Sequence, residues 1–344
     1  MNKIYSLLFS AALLVVGGYF LFFYDSPDAR ATGQPSTAYR VDKGPIFGTF
    51  YTVKYRHPDH ADLHEQILAA LHRVDQTLSM FNPNSQLSAL NANRSDTVSS
   101  DFQAVYECAR EVWERSDHAF DITVAPLVDL WGFGRDELRE VSAADVQTLM
   151  PAVGMDKIRL AGNRLIKDDP AIRIDASAIA KGYGVDAVAA VLAENGCSDF
   201  IVEIGGEIVA RGINDKGEPW HVGINTPDDD PANTSNDVQR IIPLTNAALA
   251  TSGNYRRYYE VNGKRYAHTI DPRTGYPAQT DVLSATVIAP TCMRADAYAT
   301  AFMVLGSDKA MEICGQDTTI SCFLILGTSG EEGYTTVMSK NFEK

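Results

Sequence analysis

The chain has 344 residues and carries 30 Lys+Arg against 44 Asp+Glu, a formal charge of −14. Hydrophobic residues make up 45% and charged residues 22%, a globular balance that excludes extended disorder. The acidic excess excludes a general nucleic-acid surface, which carries a basic footprint, but leaves room for a local cationic pocket.

In chain order, the first feature is an uncharged run of 21 residues from Ile4 to Tyr24. A bilayer-spanning helix needs about 20 mainly apolar residues, so the run is long enough. Lys3 precedes it and Asp25 and Asp28 follow it, which places the N-terminus in the cytoplasm and the body outside. Phe20, Phe22, Phe23 and Tyr24 stand where a cleavage site wants small residues. An uncleaved anchor is therefore expected, with a cleaved signal peptide as the alternative. Residues 1–24 are read as the anchor helix, 25–40 as a linker and 41–344 as one body.

Within the body, Phe47–Tyr55 alternates as a strand. Asp59–Thr77 reads as a helix with Leu63, Ile67, Leu71 and Val74 on one face. A loop covers Ser79–Ser85. Asp101 is expected to cap a helix carrying Phe102, Val105, Tyr106, Ala109, Val112 and Trp113. Short strands are predicted at Lys157–Leu160, Arg164–Lys167 and Ile172–Asp175, then a helix from Ala180 to Asn195 that stops at Gly196. Phe200–Ile204 and Ile208–Arg211 flank Gly205-Gly206. Residues 226–236 read as a surface loop. Asn262-Gly263 is a hairpin turn joining Tyr255–Val261 to Lys264–Ile270. Ser284–Ala289 is a strand, and Thr291 is expected to cap a helix ending at Gly306. Ile320–Leu326 and Tyr334–Met338 form a last hairpin. Strands and helices mix without regular alternation, so the fold class is α+β rather than doubly wound α/β.

The five cysteines, Cys108, Cys197, Cys292, Cys314 and Cys322, contain no C-x-x-C pair, which argues against a zinc ribbon or a thioredoxin-type site. An exported body has room for one disulfide, and the odd count leaves at least one thiol free. His57, His60 and His64 imitate metal spacing but lie in a polar stretch with no fourth ligand nearby, so a solvated helix start is the preferred reading.

Four segments carry candidate chemistry. Asp296 and Thr300 fall at i and i+4, on one helix face, among Ala295, Ala297, Ala299 and Ala301. Their oxygens suit Mg²⁺ or Ca²⁺, and a solvated helix face is the plain alternative. In Asp175-Ala176-Ser177-Ala178-Ile179-Ala180-Lys181-Gly182-Tyr183-Gly184 a strand ends at the acid and a helix begins. Free N–H groups there, with Lys181, offer an anion cradle, although neither a Walker loop nor a dinucleotide fingerprint is present. An ordinary strand–helix connection capped by Asp175 is the alternative. His268, before the tight turn Asp271–Gly275, has either a structural role or one at a phosphate or as a base. Aromatic residues beside Asp121, in Ala119-Phe120-Asp121, suit a flat ring whose N–H groups the acid would accept, or plain core packing.

Taken together and in this order, these motifs resemble the ApbE family of FAD:protein FMN transferases. The resemblance runs from about Phe47 to Gly306, through Phe47-Gly48-Thr49, Leu78-Ser79-Met80-Phe81, Ala119-Phe120-Asp121, Trp131-Gly132-Phe133-Gly134, Asp175 to Gly184, Ile204-Gly205-Gly206, Ala250-Thr251-Ser252-Gly253, His268 to Gly275 and Ala295 to Thr300. It implies a single catalytic domain that splits FAD at the pyrophosphate, releases AMP and attaches FMN by a phosphoester to a Thr or Ser of an acceptor protein. Asp296, Thr300 and the Ala178 carbonyl are then expected to hold Mg²⁺. Asp175, Lys181, His268 and Ile270 are expected to contact FAD, and Phe47, Phe81 and Ala119–Asp121 to line its pockets. Lys181 and the metal would stabilise the departing AMP, with His268 as base. Acceptors are expected among subunits of membrane redox complexes, beside an enzyme held on the periplasmic face of the bacterial inner membrane. Two other readings stay open, an FAD pyrophosphatase and a membrane-tethered flavin-binding protein without turnover.

Overall fold

The computed structural model describes residues 38–134, 140–225, 238–254, 258–261, 264–328 and 333–342. The expected anchor over 1–24, most of the linker, the 226–236 loop and the Asn262-Gly263 turn lie outside the described residues. Among the described residues no helix is long and apolar enough to cross a membrane.

The chain enters as strand β1 (Arg40–Ile46), paired antiparallel with β2 (Thr49–Arg56). β1 begins inside the segment read as linker. Its Asp42, Gly44 and Pro45 are poor strand formers, and the ladder to β2 holds it in place. Helix α1 (His64–Leu78) starts later than expected because the backbone N–H groups of Asp59 and Ala61 are taken by His57 Nδ1 in a turn. His64 pairs with Asp42, so the three histidines do not converge. Then come α2 (Gln86–Asn91), α3 (Ser100–Arg115), α4 (Ala125–Leu130) and α5 (Ala143–Leu149). The cap of α3 is Ser99, whose Oγ accepts from the Phe102 N–H. Asp101 instead accepts from Arg73 and from the Tyr183 hydroxyl.

β3 (Ile158–Ala161) and β4 (Arg164–Lys167) are the two predicted strands and pair as a hairpin, whereas Ile172–Asp175 is no strand. Only one bridge, Val124 to Arg173, forms there. Next are α6 (Ala180–Glu194), β5 (Asp199–Ile204), β6 (Glu207–Arg211), β7 (Trp220–Asn225), β8 (Val238–Leu244) and β9 (Ala247–Gly253). β10 (Tyr258–Val261) pairs with β11 (Lys264–Ala267), and β12 (Ile270–Asp271) with β13 (Tyr276–Pro277). The chain closes with β14 (Val282–Ala289), α7 (Cys292–Leu305), α8 (Ser307–Gln316), β15 (Ser321–Gly327) and β16 (Tyr334–Met338).

Eight strands make one antiparallel sheet in the order β1-β2-β5-β6-β9-β14-β15-β16. Helices α1, α6 and α7 cover one face, where Val53, Val202 and Ile204 meet Val185, Val188 and Leu192. The β7–β8 pair covers part of the other, where Ile201 and Ala210 meet Trp220 and Val222. Burial on both faces explains why β5 is apolar almost throughout instead of alternating. Helices massed on one face of an antiparallel sheet make the fold a single α+β domain, as expected. The expected cap of α7 is not made by the Thr291 side chain. Asp186, on α6, reaches across and accepts from the backbone N–H groups of Cys292 and Met293 at 2.9 and 2.8 Å. All five thiols are free, so the body forms no disulfide.

Candidate active site

A cavity of about 1280 Å³ opens where the first turn of α6, the middle of α7 and the strand ends of the sheet meet. All the residues singled out from sequence line it: Phe47, Phe81, Ala119, Phe120, Asp121, Asp175, Ala178, Lys181, His268, Ile270, Asp296 and Thr300. Two glycines allow this convergence. A Cβ on Gly182 would lie 2.5 Å from the Cys292 carbonyl oxygen, so only glycine lets the α6 and α7 backbones approach so closely. A Cβ on Gly184 would lie 2.6 Å from the Phe47 ring. Phe47 and Gly48, both at positive φ (50° and 73°), form the two-residue turn of the β1–β2 hairpin and aim that ring at α6.

Asp296 is 4% exposed and links the two helices. Its Oδ2 accepts from the Gly182 N–H at 3.0 Å. Gly182 is the third residue of α6, where a first-turn N–H has no acceptor within the helix, so Asp296 caps it from α7. Ala178, in the turn before the helix, lines the cavity beside this contact. Thr300, one turn along α7, has its Oγ1 3.1 Å from Ser252 Oγ on β9. A carboxylate, a hydroxyl and the Ala178 backbone carbonyl form a hard-oxygen set that fits Mg²⁺ and is wrong for zinc. Burial raises the Asp296 carboxyl, and Lys181 and the Gly182 N–H oppose that shift. Among the described residues no group of three or more His, Cys, Asp and Glu side chains forms a metal cage.

Lys181 was expected to wait for an anion. Its ammonium is instead paired with Glu207, a residue absent from the sequence reading. Glu207 is 2% exposed, and its Oε2 is buried with no hydrogen-bond partner. Burial alone would lower Lys181, but the Glu207 and Asp296 carboxylates outweigh it and raise the ammonium. The signal for Glu207 was available: one acid stands between Gly205-Gly206 and the apolar run Ile208–Ala210. Glu203, also missed, accepts from the Gly206 N–H at 2.8 Å and lines the cavity, and burial pushes its carboxyl up to about 7.

On the opposite wall, Asp121 is already engaged. Oδ1 accepts from the Thr123 N–H and hydroxyl, and Oδ2 from the Met155 N–H. It braces its own segment and presents a cavity face as well. Asp175 accepts from the Ser177 N–H at 2.8 Å, while burial raises its carboxyl. His268 stands edge-on to Phe133, with ring centroids 6.4 Å apart. Ile270 belongs to a small apolar cluster with Leu127, Leu130, Val146 and Val153. Phe81 is 78% exposed at the rim.

The model of the ApbE family matches residues 47–324. The chain belongs to the ApbE family. An FAD:protein FMN transferase of Haemophilus influenzae is 39% identical over 316 residues, covering 88% of this chain and 90% of that one. The Escherichia coli K12 FAD:protein FMN transferase is 33% identical over 344 residues, covering 96% and 95%. Among solved structures, the flavin transferase ApbE from Vibrio cholerae superposes with a TM-score of 0.79 at 35% identity, covering 89% of this chain and 98% of that one. The apo Pseudomonas stutzeri flavinyl transferase ApbE gives 0.79 at 33% identity, covering 89% and 96%. The matched region takes in the turn of Phe47, the α6 start, the Gly205-Gly206 turn and α7, so all the cavity's lining residues except Lys43 lie within it.

Proposed function

We propose that this protein transfers FMN from FAD to a hydroxyl of an acceptor protein, with Mg²⁺ as cofactor and AMP as the leaving group. The observation that carries the reading is the Asp296 cap on the Gly182 N–H, which brings the acid and the Thr300 hydroxyl of α7 to the start of α6, where Ala178 and Lys181 line the same cavity. Relatives named FAD:protein FMN transferase support the activity. The cavity exceeds the roughly 300–1,000 Å³ of a small-molecule site, which suits a dinucleotide together with a protein segment.

Asp296, Thr300 and the Ala178 carbonyl would hold the ion, which supplies charge neutralisation on the pyrophosphate. Lys181 places a fixed positive charge at the same end of the cavity, against the charge that grows on the departing AMP phosphate. Phe47 and the 119–121 segment position the flavin. The acceptor oxygen forms a bond to the FMN phosphorus, the bond from that phosphorus to the AMP oxygen breaks, and His268 takes the hydroxyl proton. The uncharged run from Ile4 to Tyr24 supports an inner-membrane anchor with the body in the periplasm, beside acceptor subunits of membrane redox complexes.

The test is intact-mass analysis of an acceptor domain after incubation with the full-length protein, FAD and Mg²⁺. One FMN adduct per Thr or Ser site is expected, and Asp296→Ala should reduce its rate by at least about a hundredfold, the scale of a lost electrostatic contact at a transition state. Absence of an adduct on every acceptor offered overturns the reading. AMP and FMN released equally fast without acceptor would turn it to a pyrophosphatase.

A further inference from the structure

Three buried charged groups meet between α6, α7 and β6. Lys181 is paired with Glu207 and feels Asp296 as its second acidic neighbour. Glu207 is placed by backbone: Gly205 and Gly206 turn the chain at φ 61° and 104°, and Glu207 is the first residue of β6, opposite Ile204 on the helix-covered face. Its Oε1 takes the Lys181 ammonium, and its Oε2 has no partner although the side chain is almost wholly buried. A carboxylate oxygen left unpaired at such a position costs folding free energy. It is retained where a ligand completes it.

The geometry points to Glu207 as a fourth protein oxygen of the divalent-cation site, with Oε2 reaching the ion directly or through one of its waters while Oε1 keeps Lys181 in place. This rests on the cation site proposed above. Mg²⁺ demands six oxygens and surrenders its waters reluctantly. Asp296, Thr300 and the Ala178 carbonyl provide three, so a carboxylate facing the same cavity has an open position or a bound water to meet. The salt bridge gives the arrangement a second use. With Glu207 engaged on one oxygen by Lys181, the ammonium is held off Asp296 and cannot displace the cation from it.

The experiment is Mn²⁺ binding to the flavin-free full-length protein, read by the loss of the free-ion electron paramagnetic resonance signal, with circular dichroism as the folding check. Wild type is expected to bind one ion and Asp296→Ala to lose it. Glu207→Gln is expected to bind about tenfold more weakly or worse, the scale of a displaced outer ligand. Lys181→Met removes a cation and leaves both carboxylates, so it is expected to bind at least as tightly as wild type. It serves as the second arm should Glu207→Gln fail to fold, and weaker binding by Lys181→Met overturns the proposal. Unchanged affinity in folded Glu207→Gln, with Asp296→Ala defective, overturns this assignment and leaves the cation site standing. A wild type that binds no Mn²⁺ overturns both.

Discussion

Phe47 occupies a backbone region that few side chains adopt, at φ 50°, and its ring fills the space that a Cβ on Gly184 would need. The obstacle at Gly184 is the edge of a side chain, which can swing, so Gly184→Ala is expected to displace the ring rather than unfold the helix. Flavin binding should weaken by roughly tenfold, about 1.4 kcal/mol, with little change in melting temperature. A fluorescence titration with FAD beside a thermal melt separates the two effects. Residue types at this scale were legible in the sequence wherever the chemistry is carried by a short motif. Asp175, Lys181, Asp296 and Thr300, picked from a strand-to-helix junction and an i, i+4 pair, line one cavity. Glu207 escaped because its meaning comes from Lys181, 26 residues away. Asp121 was read as a ring acceptor, and only the structure shows both its oxygens occupied by Thr123 and Met155.

Helices α6 and α7 were predicted nearly to the residue, since each is long, apolar and stopped by a glycine at positive φ, Gly196 and Gly306. Strand β9 escaped, because Ala-Ala-Leu-Ala-Thr-Ser-Gly shows no alternation and is held by β6 and β14 on its two sides. α8 begins directly at Gly306, which ends α7, so the same glycine that marked a stop hid a restart. The cap of α7 was misassigned for a related reason. Thr291 is the nearest capping type in sequence, whereas the acceptor is Asp186, 106 residues distant. Asp186→Ala should therefore destabilise the fold by about 1–2 kcal/mol, the scale of a lost N-cap, and Thr291→Ala should leave it nearly unchanged. Urea unfolding of both variants decides between the two capping residues.

The whole molecule carries a charge of −14, yet its pH response is set by a few acids inside it. Burial pushes Glu203 up from 4.5 to about 7 and Asp186 up from 3.8 to about 6. The folded protein thus keeps protons that the unfolded chain releases, and stability falls as pH rises from about 4 to about 7. Arg-paired Asp199 and Asp317 are held below 3.8 and act in the opposite sense only at still lower pH. Melting in a chelating buffer across pH 5–8 should show a falling temperature, with a flatter slope in Glu203→Gln. A slope unchanged by that substitution would assign the effect elsewhere. The order of motifs was enough to read one domain of mixed sheet and helix, because its catalytic pieces follow each other in sequence and the sheet gathers their ends. The contact at Gly182 has a mechanical consequence. Spreading α6 from α7 would break the bond to Asp296 and part Asp296 and Thr300 from Ala178 and Lys181 in one movement. This seam is therefore the tightly packed side of the cavity, and the exposed Phe81 marks its open rim.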